Sequence, residues 1–538
     1  MVQRQPAETY ETDTAPHRSL GERARRSLTP LVAAAFAGAL FSLSAPPEDW
    51  SLLAWFVPGV LLVAARHSGF AAAYAAGTIY AVVIGSWVTS WAPQAALQYF
   101  SYDLLQARLF ILAVHIVNPG IMCGLMVAAY ARLRASVPPA ARAPLAALLW
   151  VCCEWMRVWS LGWMLLAHTQ YRHLYLIQAS ELGGAYLVSF VMVTVSVAVA
   201  EMLASRDDRR TTARSVLVGP GLALVAMAAF GAIRVSGFEP RRDASTTRTI
   251  GVVQASVPNQ FRWKRAYFGS TLAKYARLTA TIEADPLDLI VWPENAVSFY
   301  LNQEGMLRAQ MQRTATRAKD GLVVGAPRRG AGRDAFNSIF VLDAQGSIVD
   351  AYDKQYLLPF GEYDPIRGRN RAAEPGEIVY RHGSRATPLV AGATTYGACV
   401  CYEILFPALV NEMVRGGADV LLNLSNDSWM DDGTGAAPAQ HFAMALFRAV
   451  ETRRYLVRAS ARGLSGFGDP LGPPYAVLPV NAVETTTAKV VPRQGLTPYV
   501  RFGDSWILIL VLATAATLAW RSRPGAAASS AGTDSGST

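Results

Sequence analysis

The sequence predicts a polytopic α-helical membrane domain of about eight spans joined to an extracytoplasmic layered α/β domain. Three observations carry that prediction. Apolar stretches of ~17–25 residues, the length that crosses a bilayer, crowd 28–235 and recur at 505–521. Arginines alternate between the loops that join them. Residues 236–504 hold no such stretch and read as alternating strands and helices. Composition agrees: charged residues make up 16 % of the 538 residues, against about 25 % in a soluble domain. Setting aside ~160 nearly uncharged spanning residues returns the remainder to about 23 %, the ordinary level. A chain that is 52 % hydrophobic with 13 Trp can bury a large core, which excludes intrinsic disorder. Five Cys are too sparse for a disulfide scaffold.

The spans read as 28–46, 50–66, 69–91, 109–131, 143–163, 175–203, 215–235 and 505–521. Arg23, Arg25 and Arg26 precede the first, and Arg66 and His67 follow the second. Arg132, Arg134 and Arg142 follow the fourth, and Arg206, Arg209, Arg210 and Arg214 follow the sixth. The loops between these are poor in basic residues. Basic loops stay cytoplasmic, so 1–27 lies in the cytoplasm, 28–235 crosses seven times, 236–504 lies outside, and 522–538 returns as a disordered tail. Much of the net charge of +10 is therefore topological, and no nucleic-acid partner is expected. A bacterial inner membrane is the natural setting. Within the spans, Glu154 and Arg157 stand three apart and can pair on one helical face; Glu181 and His115 are further ionisable groups there.

In the outer domain, 249–257 and 288–294 read as strands, each followed by a helix (268–283 and 304–318). A strand at 321–327 precedes a hairpin over 336–354 that turns at Ala344-Gln345-Gly346. Strands at 394–404, 418–427 and 455–461 alternate with helices at 406–416 and 436–454. Polar groups stand where the apolar strands stop: Glu294, Lys354, Cys401 and Asn426-Asp427. Strand ends are where α/β domains place their chemistry. A carboxylate, an ammonium and a thiol together can take a proton, stabilise an oxyanion and attack an acyl carbon.

The local motifs carry a resemblance. VWPEN around Glu294, YDKQYLLPFGEY around Lys354, CYE at Cys401 and SNDSW at 425–429 resemble the Glu-Lys-Cys triad segments of the nitrilase, or carbon–nitrogen hydrolase, superfamily. With the membrane EWMR, VQASVPNQFRW (253–263) and RFGD (501–504), nearly the whole chain is similar to the apolipoprotein N-acyltransferase family, membrane-embedded members of that superfamily. The resemblance implies an αββα sandwich with Glu294 as base, Lys354 on the oxyanion side and Cys401 as the acylated nucleophile. It implies supporting roles for Glu362, Glu403 and Asn337, and substrate contacts for Trp263 and Tyr402. Spacing alone leaves Cys399 or Cys401 open, because two residues apart on a strand share a face; the CYE match selects Cys401. This chain departs from the family pattern at Tyr356, Ser428, Met430, Arg458-Ala-Ser-Ala-Arg462 and Gly162-Trp163-Met164.

The implied reaction is ping-pong, from a membrane phospholipid donor to diacylglyceryl-modified lipoproteins. The alternative is a membrane-tethered amidase using the same triad with water as acceptor. Seven scattered His show no ligand spacing, so neither metal nor cofactor is expected, and His441 is expected to pack or cap on its helix.

Overall fold

The computed structural model describes residues 20–100, 102–204, 209–238, 246–284, 286–303, 305–364, 369–370, 379–430 and 433–521. The tail at 522–538, most of the 1–27 segment and Arg206 lie outside the described residues.

Among the described residues, four helices are long and apolar enough to cross a membrane: Phe70–Val88, Leu104–Ser136, Ser180–Ala204 and Val216–Ser236. Shorter apolar helices cover Leu28–Ser44, Ser51–Ala64 and Ser505–Ala519, and Pro139–Leu161 is a further helix of 23 residues. Pro119 cannot donate its backbone nitrogen, and a π-turn at Ile116–Gly120 interrupts the second long helix there. The segment read as a loop at 92–107 instead contains a helix, Ala92–Phe100, followed by a capping box in which Asp103 and Gln106 bond each other's backbone. Glu154 and Arg157 do not pair directly. Glu154 accepts from Trp150 Nε1 at 3.0 Å and Leu166 N–H at 2.7 Å, while Arg157 donates to the Trp163 carbonyl at 3.1 Å. Position three apart allowed the pair, but the chain's return at 163–166 supplies nearer partners.

Among the described residues of 236–504, fifteen strands follow. They are β1 (Arg248–Gln254), β2 (Leu289–Trp292), β3 (Leu322–Arg329), β4 (Asp334–Leu342), β5 (Ile348–Asp353), β6 (Tyr363–Asp364), β7 (Arg369–Asn370), β8 (Val379–Tyr380), β9 (Leu389–Ala391), β10 (Thr394–Val400), β11 (Val420–Ser425), β12 (Leu456–Ser460), β13 (Ser465–Gly468), β14 (Pro474–Leu478) and β15 (Glu484–Val490). One sheet runs β15-β1-β2-β3-β4-β5 with β8 beside β4, and the other runs β14-β13-β12-β11-β10-β9. β1, β2 and β3 are parallel, as are β10, β11 and β12. The last three strands and the short helix Pro498–Phe502 have no counterpart in the sequence reading. β15 is half-exposed and pairs along β1 for seven residues, so its partner rather than its own pattern makes it a strand.

Period-two alternation sets the layers. Val252, Leu289, Val291 and Val323 face the second sheet and share a core with Ala398, Leu422 and Val457. Their neighbours Val253, Ile290, Trp292 and Val324 pack on Phe268–Ala280 and Gly305–Ala315. Helices Pro407–Arg415 and Ala436–Thr452 cover the other face of the second sheet, giving the expected αββα order. Helix Ala436–Thr452 is buried along its whole length because it also packs on membrane helix Ser180–Ala204. Arg453 at its end bonds Glu181 of that helix, which Arg234 reaches at 2.8 Å from the next. The two halves of the chain thus share one core.

Candidate active site

Each functional side chain sits just past a strand end. β2 delivers Glu294 into the crevice, and Gly325 on β3 is glycine because a Cβ there would stand 2.6 Å from the Glu294 Cα. β5 ends at Asp353, placing Lys354 against β4, where its N–H donates to the Asn337 carbonyl at 2.9 Å. β10 ends at Val400, and Cys401 takes a left-handed backbone, φ 51°, before the 3-10 turn Cys401–Leu405. Few L-residues adopt that conformation without a surrounding structure to hold it. The turn corrects the strand argument about the two thiols: Cys401 has left the extended chain, so it no longer shares the alternation of Cys399. All three groups are buried.

Hydrogen bonds knit them together. Asn337 Nδ2 donates to Glu294 Oε1 at 2.7 Å and to Glu362 Oε1 at 2.9 Å. Glu362 Oε2 lies 2.8 Å from Lys354 Nζ and accepts the Leu358 N–H at 2.7 Å. Glu403 is wholly buried and joins the lysine loop to the cysteine elbow. Its Oε1 accepts from Tyr352 Oη at 2.8 Å, Gln355 N–H at 2.6 Å and Tyr356 N–H at 3.1 Å, and its Oε2 from Val400 N–H at 2.7 Å.

The charges set the protonation. Burial, reinforced by Glu294, pushes the Cys401 thiol up to about 12, with Lys354 opposing. Burial also raises Glu294, with Glu362 adding to the rise and Lys354 and Asn337 opposing it. Burial alone would lower Lys354, but Glu362 and Glu294 more than offset it and keep the ammonium charged. Burial lifts Glu403 to about 7. At rest the thiol is therefore neutral, beside a carboxylate whose affinity for a proton has been raised towards it. That is the arrangement a general base needs.

A second network lies behind the cysteine. Asp427 Oδ1 accepts from Ser425 Oγ at 2.6 Å and lies 3.0 Å from His441 Nδ1, while Oδ2 accepts from Arg458 at 2.8 Å and Ser460 Oγ at 3.1 Å. Burial would raise Asp427, but Arg458 and His441 hold it well below the usual carboxylate range. Asn423, flanked in register by Cys399 and Arg458, donates to the Cys401 carbonyl at 3.3 Å. The ligand-type atoms of Cys401, Asp427 and His441 lie within 4.8 Å of one another. Sequence spacing missed this cluster because its members come from three elements. The signal available was Arg458, a charged residue inside an apolar strand. Both Asp427 oxygens are already occupied, and the Arg458 guanidinium opposes a cation there.

Above the site lies a largely apolar cavity of about 180 Å³ walled by both halves of the chain. Tyr80 and Phe110 line it from the N-terminal helices, Trp91 and Trp163 from the turns after helices Phe70–Val88 and Pro139–Leu161, and Phe360, Tyr402 and Trp429 from the α/β domain. Tyr402, directly after Cys401, donates to the Ser160 carbonyl at 3.3 Å. Phe360 packs on Phe110 with ring centroids 5.4 Å apart. Trp163, one of the departures from the family pattern, packs on Trp91 at 5.1 Å and on His441 at 5.6 Å. Tyr356, another, stacks on Phe406 at 4.3 Å. Trp263 is 46 % exposed and is not among the residues that wall the cavity.

Comparison with known proteins matches both halves. Residues 249–493 match the carbon-nitrogen hydrolase family, and 37–198 match the apolipoprotein N-acyltransferase N-terminal domain. An apolipoprotein N-acyltransferase of Geobacter metallireducens is 30 % identical over 91 % of this chain and 95 % of its own length. The chain belongs to the apolipoprotein N-acyltransferase family. Other members are 30 % identical in Azotobacter vinelandii and 27 % in Vibrio vulnificus, each over 91 % of this chain and 96 % of the relative. Among solved structures, a carbon-nitrogen hydrolase of Helicobacter pylori matches 45 % of this chain and 89 % of its own at 18 % identity, TM-score 0.36. An amidase from Nesterenkonia matches 49 % and 96 % at 17 % identity, TM-score 0.36.

Proposed function

We propose that this chain transfers an acyl chain from a membrane phospholipid, through a thioester on Cys401, to the N-terminal amine of S-diacylglyceryl-cysteine in apolipoproteins. The observation that carries the reading is the apolar cavity between membrane helices and outer domain, walled by the residue that follows the buried Cys401. A water-using amidase has no need of such a space, and an acyl chain does. Glu294 takes the thiol proton, and the thiolate attacks the ester carbonyl. The oxyanion meets the Lys354 ammonium and the backbone N–H that follows Cys401. The ester C–O bond breaks, and the lysophospholipid alkoxide leaves with the proton from Glu294. The acceptor amine then attacks the thioester, gives its proton to Glu294, and the released thiolate is reprotonated. Asn337 and Glu362 fix Glu294 and Lys354, Glu403 fixes the elbow, and Tyr402 and Trp263 contact substrate.

The same reading places residues 28–235 and 505–521 in a bacterial inner membrane as eight spans. The four helices long and apolar enough to cross support it, and the shorter apolar helices and Pro139–Leu161 lie at the other expected positions. Arginine alternation supports an outer domain, 236–504, on the periplasmic side.

Intact-protein mass of the detergent-purified enzyme after incubation with phospholipid alone tests the chemistry. One acyl-sized increase is expected, absent in Cys401→Ala and discharged by a diacylglyceryl-cysteine peptide but not by water. Rapid clearance by water would indicate an amidase, and an unchanged adduct in Cys401→Ala would remove Cys401 from the mechanism.

A further inference from the structure

The cavity above Cys401 is apolar but for one permanent charge. Among its described lining residues Arg157 is the sole Lys, Arg, Asp or Glu. It stands on helix Pro139–Leu161, about one turn before that helix ends. Its Nη2 donates to the Trp163 carbonyl at 3.1 Å, and its Nε is buried without a partner. Among the described residues it forms no ion pair: Glu154, on the preceding turn, is engaged by Trp150 and the Leu166 N–H instead. A guanidinium does not shed its proton, and a charge drawn out of water without a counter-ion is costly. Such a group bordering an apolar cavity calls for an anion. Trp91, 7 % exposed, borders the same cavity; its Nε1 has no acceptor and its ring packs on Trp163. The cavity therefore suits a molecule that is apolar along most of its length and carries one negative charge. A phospholipid is such a molecule, with its acyl esters and its phosphodiester on one glycerol.

We propose that Arg157 seats the phosphate of the donor lipid. The guanidinium donates to a phosphodiester oxygen through N–H groups it leaves unused, while the acyl chain takes the apolar part of the cavity. Contacts of this charge-assisted kind are among the strong hydrogen bonds. Because phosphate and ester share one glycerol, holding the first limits where the second can stand, and Tyr402 joins the same wall to the residue that attacks. The inference rests on the reading that the cavity takes a phospholipid, and it adds the group recognised and the residue that recognises it.

The measurement is lipid binding to the full-length Cys401→Ala protein in detergent, titrated by native mass spectrometry. The probes are dioleoyl phosphatidylglycerol, a phosphodiester, and dioleoylglycerol, which has the same chains and no phosphate. The phosphodiester is expected to bind more tightly. Adding Arg157→Gln is expected to weaken it about 10- to 100-fold, the range for a hydrogen bond to a charged group, and to leave dioleoylglycerol unchanged. An equal loss for both lipids, or no loss for either, would overturn the proposal. A ligand-side test needs no change at Arg157, so it decides even if Arg157→Gln does not fold. The methyl phosphotriester of the same lipid, its charge capped, is expected to bind as dioleoylglycerol does, and binding as tight as the diester would overturn the proposal. Inorganic phosphate separates the two sources of the anion. It is expected not to displace the lipid, and displacement at a concentration equal to that of the phospholipid would assign the seat to free phosphate and overturn the lipid reading of it. Transfer chemistry is absent from these titrations. If the wild type takes no acyl group from phospholipid while the diester preference and its dependence on Arg157 hold, the transferase reading fails and the phosphate seat stands.

Discussion

Glu403→Gln perturbs the buried carboxylate that ties the lysine loop to the cysteine elbow. In the wild type one oxygen accepts three donors and the other accepts the Val400 N–H at 2.7 Å. A Gln oxygen can serve the three, but its NH₂ then meets the Val400 N–H, donor against donor. Two buried donors without acceptors cost about 1–3 kcal/mol each. If about 2–4 kcal/mol of that appears as displacement of Cys401 from its attack geometry, the acylation rate falls by roughly 30- to 1,000-fold. Single-turnover acylation followed by intact mass measures the loss directly. The pH dependence adds a second check. Burial lifts Glu403 to about 7, so the wild type protonates this acceptor as pH falls through 7 and acylation slows. The Gln variant, already neutral, lacks that limb. The stability sign follows from the same shift. Between its ordinary value near 4.3 and about 7, the folded state holds a proton the unfolded chain has released, so this group's contribution falls as pH rises through that window. A Gln variant within threefold of wild type, or one retaining the Glu403 limb, would refute the linkage.

Further tests address the other contacts. Glu362→Gln removes the carboxylate 2.8 Å from Lys354 Nζ, and acylation is expected to fall ~10- to 100-fold in single turnover, the cost of about 1.5–3 kcal/mol for a hydrogen bond to a charged group. Gly463→Ala would set its methyl 2.0 Å from Asp427 Oδ2, and overpacking of about 1–3 kcal/mol or more should appear as a lower thermal midpoint; an unchanged midpoint would contradict the fit. Trp163→Ala opens the cavity beside Trp91 and His441. It is expected to raise KM for phospholipid more than it lowers kcat, and steady-state rates over donor concentration distinguish the two.

The candidate segments were legible because Glu294 and Cys401 follow apolar strands and Lys354 ends a half-buried hairpin strand, each within a recognisable motif. A layered α/β domain was legible because buried apolar strands such as Leu289–Trp292 and Val420–Ser425 follow one another with helices between them; the αββα order was implied only by the family resemblance. Element ends were less so, since pairing decides them: β15 takes its form from β1, and the Ala92–Phe100 helix from the cavity it roofs. The Glu154–Arg157 pair failed because helical spacing permits a contact without excluding a closer partner from a returning chain.

Sequence by itself determined the long apolar helices, the strand–helix alternation of 236–504 and the motifs that hold Glu294, Lys354 and Cys401, because hydrophobic period and local motif are properties of neighbouring residues. Only the tertiary structure decided what surrounds the thiol. Glu403, on the cysteine elbow, is reached by Tyr352, Gln355 and Tyr356 from the end of β5 and the lysine loop; Asp427, His441 and Arg458 converge from a loop, a helix and a strand; and Trp163 arrives from the N-terminal half of the chain. Such contacts join residues tens to hundreds of positions apart, and they exist only once the strands have set their register.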